Sequence, residues 1–357
     1  MKTPADKNDL RMIVIGTSAG GLAALRILVG NIPETINAAV FIVLHTAPDG
    51  PGLLPRLLQP VTSLQIAHAR DKEPIRRGRV YVAPPNHHLV IADEQVLITN
   101  GPRENFARPA IDPLFRSAAL EYGARVIGVV LTGRLDDGSA GLWAIKERGG
   151  IAIVQDPRDA EYAQMPQNAL THVRVDHCVP LAEIGPLLGR LAEKSLPSGV
   201  STMPKGLELE TRIAKEERVS KRELLQLGDP SVFTCPECHG ALLQLKHSPV
   251  LRFRCHTGHA FSLQSLLSEL NTQIESNLWT AIRSIEECAL LLDHVAKHLQ
   301  MTPERKQLAE RFGQTAREAE RRAGKVREVV MKNEPLPIEE LEAGESATPA
   351  AAQKQRN

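Results

Sequence analysis

Apolar residues in the first half of the chain come in short continuous runs. These runs occupy residues 12–15, 39–44, 126–131 and 151–154. Continuous runs of this length are typical of strands covered on both faces of a sheet. Stretches with helical character separate them, at residues 22–29, 113–122 and 140–148. Strands that alternate with helices predict an α/β domain over residues 11–192, with a mostly parallel sheet flanked by helices in a Rossmann-like, three-layer arrangement.

The second half of the chain changes character several times. Residues 193–231 are rich in Lys, Arg and Glu, and we expect a charged linker with some helix. Residues 232–262 form a short unit that contains several Cys and His residues. Between residues 263 and 332 the apolar residues recur three or four apart, which predicts a helical hairpin. Residues 333–357 are rich in Pro, Ala and Glu, and we expect a disordered tail.

The composition narrows the possible function classes. Of the 357 residues, 42% are hydrophobic, which is enough to bury a sizeable core. Lys and Arg number 43 against 42 Asp and Glu, a balance that argues against a generally basic nucleic-acid binder. Aromatic residues make up only 3%, which disfavours a protein that stacks on bases. We therefore expect no nucleic-acid partner.

The same composition bears on location. No apolar run of about 18 residues exists, so we expect no transmembrane segment. The first eleven residues are polar and contain no apolar core of a signal peptide. The five cysteines do not make an even extracellular disulfide framework. These features together predict a cytoplasmic protein.

A glycine-rich turn, Gly16–Gly21, follows the first strand and precedes a helix. Three interpretations are open. The turn could be purely structural, or it could hold a phosphate on backbone N–H groups at the helix N-terminus. It could also expose Ser18 as a nucleophile beside N–H groups that stabilise an oxyanion. A dinucleotide site needs an acid near the end of the second strand, but that strand ends in Leu44-His45.

His45 at the end of this strand therefore favours a site with a catalytic nucleophile. It follows the second strand, and the strand that ends at Leu131 is followed by a loop with two acids, Asp136 and Asp137. Either acid could simply cap the next helix. However, Ser, His and Asp at three strand ends on one sheet edge match the logic of a catalytic triad, in which the acid holds the imidazole and the imidazole takes the serine proton.

At this point the sequence resembles the catalytic domain of chemotaxis protein-glutamate methylesterases, the CheB family. The matching stretches follow one another in the expected order between about residues 11 and 190. They are IGTSAGGLAAL, FIVLHTAPDG, VYVAPPNHHL, PAIDPLFRSAA, VVLTGRLDDGSAGL and AIVQDP with MPQNAL. The resemblance thus covers about half of the chain.

The resemblance implies a role for individual residues. Ser18 falls on the family's nucleophile, His45 on its general base and Asp137 on its acid, and the oxyanion donors would be the backbone N–H groups of Ala19 and Arg134. The implied reaction is hydrolysis of a protein glutamyl γ-methyl ester to glutamate and methanol, with deamidation of certain glutamines as a further activity. No cofactor is implied for catalysis. The alternative function is a non-catalytic signalling scaffold built on the same fold.

Two departures from the typical family pattern affect the expected biology. Typical members begin with a phosphorylatable receiver domain, whereas only about ten residues precede the first strand here. The sequence resembles a subset without a receiver that carries a similar C-terminal part. Arg134 stands where the usual motif has methionine. The expected partners are a methylated chemoreceptor or a similar methyl-glutamyl protein, and a methyltransferase or another signalling protein that binds the helical tail.

The Cys/His unit has the spacing of a metal site. Cys235 and Cys238 form a Cys-x2-Cys pair, and Cys255 and His259 form a Cys-x3-His pair. Each short loop places two ligands on one side of a tetrahedral Zn²⁺. His256 competes with His259 as the fourth ligand. We predict a zinc-ribbon-like unit with a structural zinc ion, and no catalytic metal.

Overall fold

A computed structural model describes residues 10–195 and 203–332 of the chain. The described residues form two compact units that divide between Ser265 and Leu266. The disordered tail expected at residues 333–357 lies outside the described residues.

The first unit contains the α/β domain. Its strands are β1 (Arg11–Thr17), β2 (Ala38–Leu44), β3 (Gln65–His68), β4 (Glu73–Pro74), β5 (Arg79–Val82), β6 (His88–Ala92), β7 (Gln95–Thr99), β8 (Val126–Val130), β9 (Ile151–Gln155) and β10 (His177–Val179). Seven of them form one sheet in the order β10-β9-β8-β1-β2-β5-β3, and every neighbouring pair is parallel. The predicted parallel sheet is confirmed.

Helices cover both faces of this sheet. They are α1 (Gly21–Gly30), α2 (Leu54–Leu58), α3 (Ile111–Tyr122), α4 (Ser139–Glu147), α5 (Gln164–His172) and α6 (Leu181–Ala192). Successive residues of β1 point to opposite faces, so Met12 and Val14 join a core with α3, α4 and α5, whereas Ile13 and Ile15 join a core with α1, α2 and α6. Burial on both faces explains the continuous apolar runs and confirms the three-layer arrangement. Strands β4, β7 and β6 form a small separate antiparallel sheet.

The segment expected to be a charged linker with some helix does contain helix, but part of it is packed against the α/β domain rather than solvated. It contains α7 (Leu207–Ala214) and α8 (Lys221–Leu224), and α7 packs against α3. Leu207 and Ile213 are buried on one face of α7. The charged residues hid this short amphipathic pattern in the sequence. Residues 196–202 of the expected linker lie outside the described part of the chain.

Three arginines and two glutamates are buried together beneath α7. The arginines are Arg116 on α3 and, further along the chain, Arg252 and Arg254. Glu210 on α7 accepts hydrogen bonds from Arg252 at 3.0 Å and from Arg254 at 3.1 Å. Glu104 accepts from Arg116 at 2.6 Å and from Arg254 at 3.0 Å. Burial alone would raise the pKa of Glu210, but the surrounding guanidinium groups outweigh it and hold this pKa well below its usual range.

The rest of the first unit is a four-stranded antiparallel sheet. Its strands, in spatial as well as chain order, are β11 (Gly228–Thr234), β12 (Ala241–Leu245), β13 (Arg252–Cys255) and β14 (Ala260–Ser262). Strand β11 begins inside the segment expected to be the linker. We call this sheet, which consists of β11 to β14, the ribbon. Because β13 carries Arg252 and Arg254, the buried ion pairs join the ribbon to α3 and α7.

The second unit is the predicted helical hairpin, which is confirmed. It consists of α9 (Leu263–Gln300), which starts in the first unit, and α10 (Lys306–Met331). Buried positions on α10 recur every seven residues, at Ala309, Ala316, Ala323 and Val330. This spacing is typical of a coiled-coil seam. None of the helices in residues 10–195 and 203–332 has the length and apolar character that a membrane span requires.

Candidate functional site

The three loops singled out in the sequence meet at the carboxyl edge of the central sheet. β1 lies between β2 and β8, so the ends of these strands are neighbours. Backbone hydrogen bonds continue past the strands: Ser18 N donates to Thr132 O at 3.1 Å, and His45 N donates to Thr17 O at 3.2 Å. In open α/β sheets this edge is where ligands bind.

The structure brings Ser18, His45 and Asp137 into one hydrogen-bonded row. His45 Nδ1 lies 3.1 Å from Ser18 Oγ, and His45 Nε2 lies 2.7 Å from Asp137 Oδ2. A carboxylate can only accept, so Nε2 carries the proton of the neutral imidazole and Nδ1 accepts from the serine hydroxyl. The side chain of His45 is 22% exposed and that of Asp137 only 3%. The row therefore runs from a solvent-facing hydroxyl to a buried carboxylate.

Asp137 is held by five N–H donors. Oδ2 accepts from His45 Nε2 and from Ile111 N at 2.7 Å. Oδ1 accepts from Asn105 Nδ2 at 3.1 Å, Gly138 N at 3.0 Å and Asp112 N at 3.3 Å. Burial alone would raise the pKa of Asp137, but the hydrogen bond and electrostatic attraction of His45 and these further donors outweigh it and lower the pKa. The carboxyl group is thus kept ionised beside the imidazole.

The neighbouring acid, Asp136, has a different environment. It is also buried, and its Oδ1 accepts from Ser262 Oγ at 2.5 Å. The next helix, α4, has no side-chain cap, because Gly138 occupies its N-cap position. Neither acid therefore occupies the N-cap position of α4, which was the alternative role for both.

Two backbone N–H groups beside Ser18 are available to a ligand. Within residues 10–195 and 203–332, neither Ala19 N nor Arg134 N donates a hydrogen bond. Gly133 lets the two loops approach closely, because a Cβ added there would lie 3.0 Å from Ser18 Cβ and 2.0 Å from Met165 Sδ. The two N–H groups could therefore donate to a ligand bound at the serine.

The side chain of Arg134 contacts Tyr162. Its guanidinium carbon lies 5.2 Å from the centre of the Tyr162 ring, a distance typical of a cation–π contact. Arg134 is exposed at the rim of the site. The charge that departs from the usual family motif is therefore placed where it can meet an incoming substrate.

Sequence reasoning missed one residue of the site, Asn105. Its amide is one of the donors to Asp137. The signal was a polar residue just before the stretch PAIDPLFRSAA, but a single asparagine in a loop gives no reason to choose it. Only the fold places it against the acid.

The predicted metal ligands also lie together. One ligand atom from each of Cys235, Cys238, Cys255 and His259 lies within 4.8 Å of the other three. Cys238 Sγ is 3.6 Å from Cys255 Sγ. Tetrahedral Zn²⁺ with Zn–S bonds of about 2.3 Å sets its sulfurs roughly 3.8 Å apart, so the three thiols and the imidazole fit the ion. His256, the competing ligand, is exposed and is not part of this cluster.

Comparisons with known proteins agree on one family. Residues 13–188 match the family model described as CheB methylesterase. A Leptospira interrogans protein that carries the name protein-glutamate methylesterase/protein-glutamine glutaminase is 43% identical over 185 residues, which cover 52% of this chain and 96% of that protein. A protein-glutamate methylesterase/protein-glutamine glutaminase of Anaeromyxobacter dehalogenans is 35% identical over 181 residues, which cover 51% of this chain and 53% of that protein.

A solved structure is similar as well. The crystal structure of the Thermotoga maritima CheB methylesterase catalytic domain has a TM-score of 0.49 and 30% sequence identity, and the match covers 51% of this chain and 98% of that one. The Leptospira relative is matched over nearly its whole length at well above 30% identity. The chain therefore belongs to the CheB methylesterase family.

Proposed function

We propose that this protein is a serine esterase that hydrolyses the γ-methyl esters of glutamate residues in proteins, releasing glutamate and methanol. The observation that carries the proposal is the row from Ser18 through His45 to Asp137 in a chain of this family. The same chemistry acting on a side-chain amide would deamidate glutamine, which is the second activity in the names of the relatives.

The geometry supports a two-step acyl transfer. Ser18 Oγ attacks the ester carbonyl while His45 Nδ1 takes the hydroxyl proton, and Asp137 stabilises the imidazolium that forms. The N–H groups of Ala19 and Arg134 stabilise the oxyanion of the tetrahedral intermediate. His45 then gives its proton to the departing methoxide, which leaves as methanol. Water, deprotonated by His45, hydrolyses the glutamyl ester of Ser18 and restores the free serine.

The alternative, a scaffold without activity, is less well supported. A scaffold would have no need for a buried carboxylate held by five donors beside an imidazole and a partly exposed hydroxyl. We propose a methylated chemoreceptor or a similar methyl-glutamyl protein as substrate. The exposed Arg134 would favour substrates with acidic residues near the ester, because opposite charges attract across the rim of the site.

The direct test is methanol release from methylated membranes of the source organism, with and without the protein. We expect release by the wild type. Ser18→Ala should lose at least about 10³-fold in turnover, because the remaining site stabilises the oxyanion but has no nucleophile. Ser63→Ala, at an exposed serine outside the site, is the matched control and should keep wild-type activity. Wild-type turnover by Ser18→Ala would refute the assignment of the nucleophile.

We further propose that Cys235, Cys238, Cys255 and His259 hold a structural zinc ion. When bound, the ion would hold the two ligand loops of the ribbon together and supply no catalytic chemistry. Elemental analysis of the protein purified under reducing conditions should find about one zinc per chain. Cys235→Ser and Cys255→Ser should lose it, whereas Cys178→Ser, at an exposed cysteine outside the cluster, should keep it. A wild type without zinc would contradict the proposal. Free thiolate ligands of this kind suit a reducing, cytoplasmic location.

The helical hairpin is proposed to bind a methyltransferase or another signalling protein. Large apolar side chains remain exposed on α9: Leu290 is 69% exposed and Leu291 is 65% exposed. Adjacent apolar residues on an exposed helix face are typical of helix-mediated recognition.

A further inference from the structure

The loop from Arg103 to Ala107 lies between the ribbon and the candidate active site and is bonded to both. On the ribbon side, Asn105 N donates to Ala260 O at 2.8 Å, and Ala260 N donates to Arg103 O at 3.3 Å. The rings of Phe106 and Phe261 pack with their centres 4.8 Å apart. The loop thus extends the edge of β14, although it belongs to the α/β domain in sequence.

The side chain of Asn105 joins the two sites directly. Its Nδ2 donates to Asp137 Oδ1, while its Oδ1 accepts from Ser262 N at 2.8 Å and from Ser265 Oγ at 2.9 Å. The backbone of Asn105 has φ of 50°, a left-handed conformation that Asn and Asp tolerate better than other residues. The orientation of this amide is therefore set by two donors, Ser262 at the end of β14 and Ser265 in the first turn of α9, and its other end meets the acid of the active site.

The groups that hold Asn105 are next to the metal ligands in the chain. Ala260 directly follows His259, and Ser262 is two residues further on. Arg254, which directly precedes Cys255, donates to Gly258 O at 2.7 Å and to Glu104 at 3.0 Å. The ligand loop between Cys255 and His259 is thus tied to Glu104, the neighbour of Asn105. Two short connections therefore link the metal ligands to Asn105, one through β14 and one through Arg254 and Glu104.

We propose that Asn105 is a positioning residue for Asp137, and that a metal ion in the ribbon fixes Asn105 in place, so that esterase turnover depends on the ribbon being loaded. This rests on the proposed esterase function. The physical reason is that β14 has only three residues and needs the anchored His259 to keep its register. If β14 shifts, Asn105 Oδ1 loses its donors, and the amide that orients Asp137 is free to turn away.

The first test replaces the amide donor that faces Asp137 with a carboxyl group. Asn105→Asp keeps the size, the tolerance of a left-handed backbone and the acceptor that faces the ribbon, but it presents an oxygen to Asp137 Oδ1. On a small glutamyl methyl ester, we expect kcat to fall at least about tenfold and KM to stay within about twofold, because the acid is misplaced while the substrate contacts remain. Zinc content should be unchanged. Asn31→Asp, at an exposed asparagine on the end of α1, should behave as wild type.

The second test removes one of the two donors to Asn105 Oδ1. Ser265→Ala removes the hydroxyl that donates to Asn105 Oδ1 and leaves the donor to Asp137 in place. We expect kcat to fall about two- to tenfold, again with little change in KM. Ser231→Ala is the matched control, because it removes a hydroxyl that donates to Leu242 O elsewhere in the ribbon. A merely structural role would lower the unfolding midpoint without separating kcat from KM.

The third test concerns the metal. Chelation should lower the kcat of the wild type about as far as Asn105→Asp does, and added zinc should restore it. The same chelation should change Asn105→Asp little further, because both perturbations act on one contact. Independently of turnover, Asn105→Ala, which removes both sets of contacts, should bind zinc at least about threefold more weakly than the wild type in competition with a chromogenic chelator, because the coupling is reciprocal in binding free energy.

The outcomes separate this inference from the proposed function. If Ser18→Ala is as active as the wild type, the esterase assignment fails. If the wild type depends on Ser18 but Asn105→Asp keeps full kcat, the positioning role of Asn105 is wrong. If the zinc affinity of Asn105→Ala equals that of the wild type, the link to the metal is wrong, whether or not the metal-free protein stays folded.

Discussion

The replacement of Asp137 by asparagine tests the acid of the site, and its effect can be worked out from the five donors around the carboxylate. An amide has one acceptor, so its NH₂ group must replace either Oδ1 or Oδ2. In place of Oδ1 it faces three N–H donors, and in place of Oδ2 it faces Ile111 N and His45 Nε2. The second arrangement costs less free energy, because His45 can change tautomer and accept a hydrogen bond from the amide. Only one buried N–H group, that of Ile111, is then left unpaired.

With the amide NH₂ group in place of Oδ2, the reaction is prevented. With Nε2 accepting from the amide, the proton moves to Nδ1, which then cannot take the proton of Ser18. We expect kcat to fall by about 10⁴-fold, which corresponds to about 5 kcal/mol in the activation free energy. The single unpaired N–H group should lower the free energy of unfolding by only about 1–3 kcal/mol. The fold should therefore survive while the activity does not.

The assay compares Asp137→Asn with Asp136→Asn by initial rates on a small glutamyl methyl ester and by urea unfolding. Asp136→Asn keeps an oxygen that can accept from Ser262 Oγ, and we expect less than about a tenfold loss of kcat. Equal losses in the two variants, or a larger loss in Asp136→Asn, would show that the acid has been assigned to the wrong residue.

Three further predictions address packing, charge and the helical hairpin. Gly133→Ala should lose at least about tenfold in kcat, because its Cβ would collide with Met165 Sδ and press on Ser18. Gly324→Ala, with open space around it, should keep the wild-type kcat in the same assay. Burial and the charge of Asp137 raise the pKa of Asp112 to about 7, so between about pH 4 and 7 the folded protein holds a proton on this group that the unfolded chain releases. In that range the free energy of unfolding should fall by up to about 1.4 kcal/mol for each unit that the pH rises. Asp112→Asn should remove this dependence in urea unfolding at about pH 5 and 8, and an equal change in the two proteins would contradict the prediction. A chain that ends near residue 275 should hydrolyse the small ester at the wild-type rate but act more weakly on methylated protein, and a large rise on the small ester would instead show that the hairpin inhibits.

Most of the α/β domain could be predicted because its strands are buried on both faces. The middle of a strand such as β1, residues 12–15, then contains only apolar residues, and this continuous run identifies the strand without knowledge of its neighbours. The strands without such a run were missed. Gln65–His68 and His177–Val179 are short edge strands with little buried apolar surface, and only their pairing with β5 and β9 makes them strands.

The segment around α7 was misjudged because a count of charges contains no information about their partners. Glu210 is buried between arginines that lie 42 and 44 residues further along the chain, and Glu104 accepts from an arginine 150 residues away. A glutamate beside a solvated linker and a glutamate in a buried ion pair have the same local sequence. Long-range ion pairs of this kind can be found only after the ribbon and α3 have been placed side by side.

The candidate active site shows the same limit at a finer scale. Three strand ends could be predicted to meet, because the ends of neighbouring parallel strands share one edge. The residues alone left Asp136 and Asp137 open, since both are acids in one glycine loop. What separates them is the set of donors: Asp137 meets His45 and the start of α3, whereas Asp136 meets Ser262 of the ribbon. The ribbon therefore contacts both acids, one directly and the other through Asn105. A substitution in the ribbon that lowers turnover must accordingly be tested for its effect on Asp137 before it is attributed to lost binding of a partner.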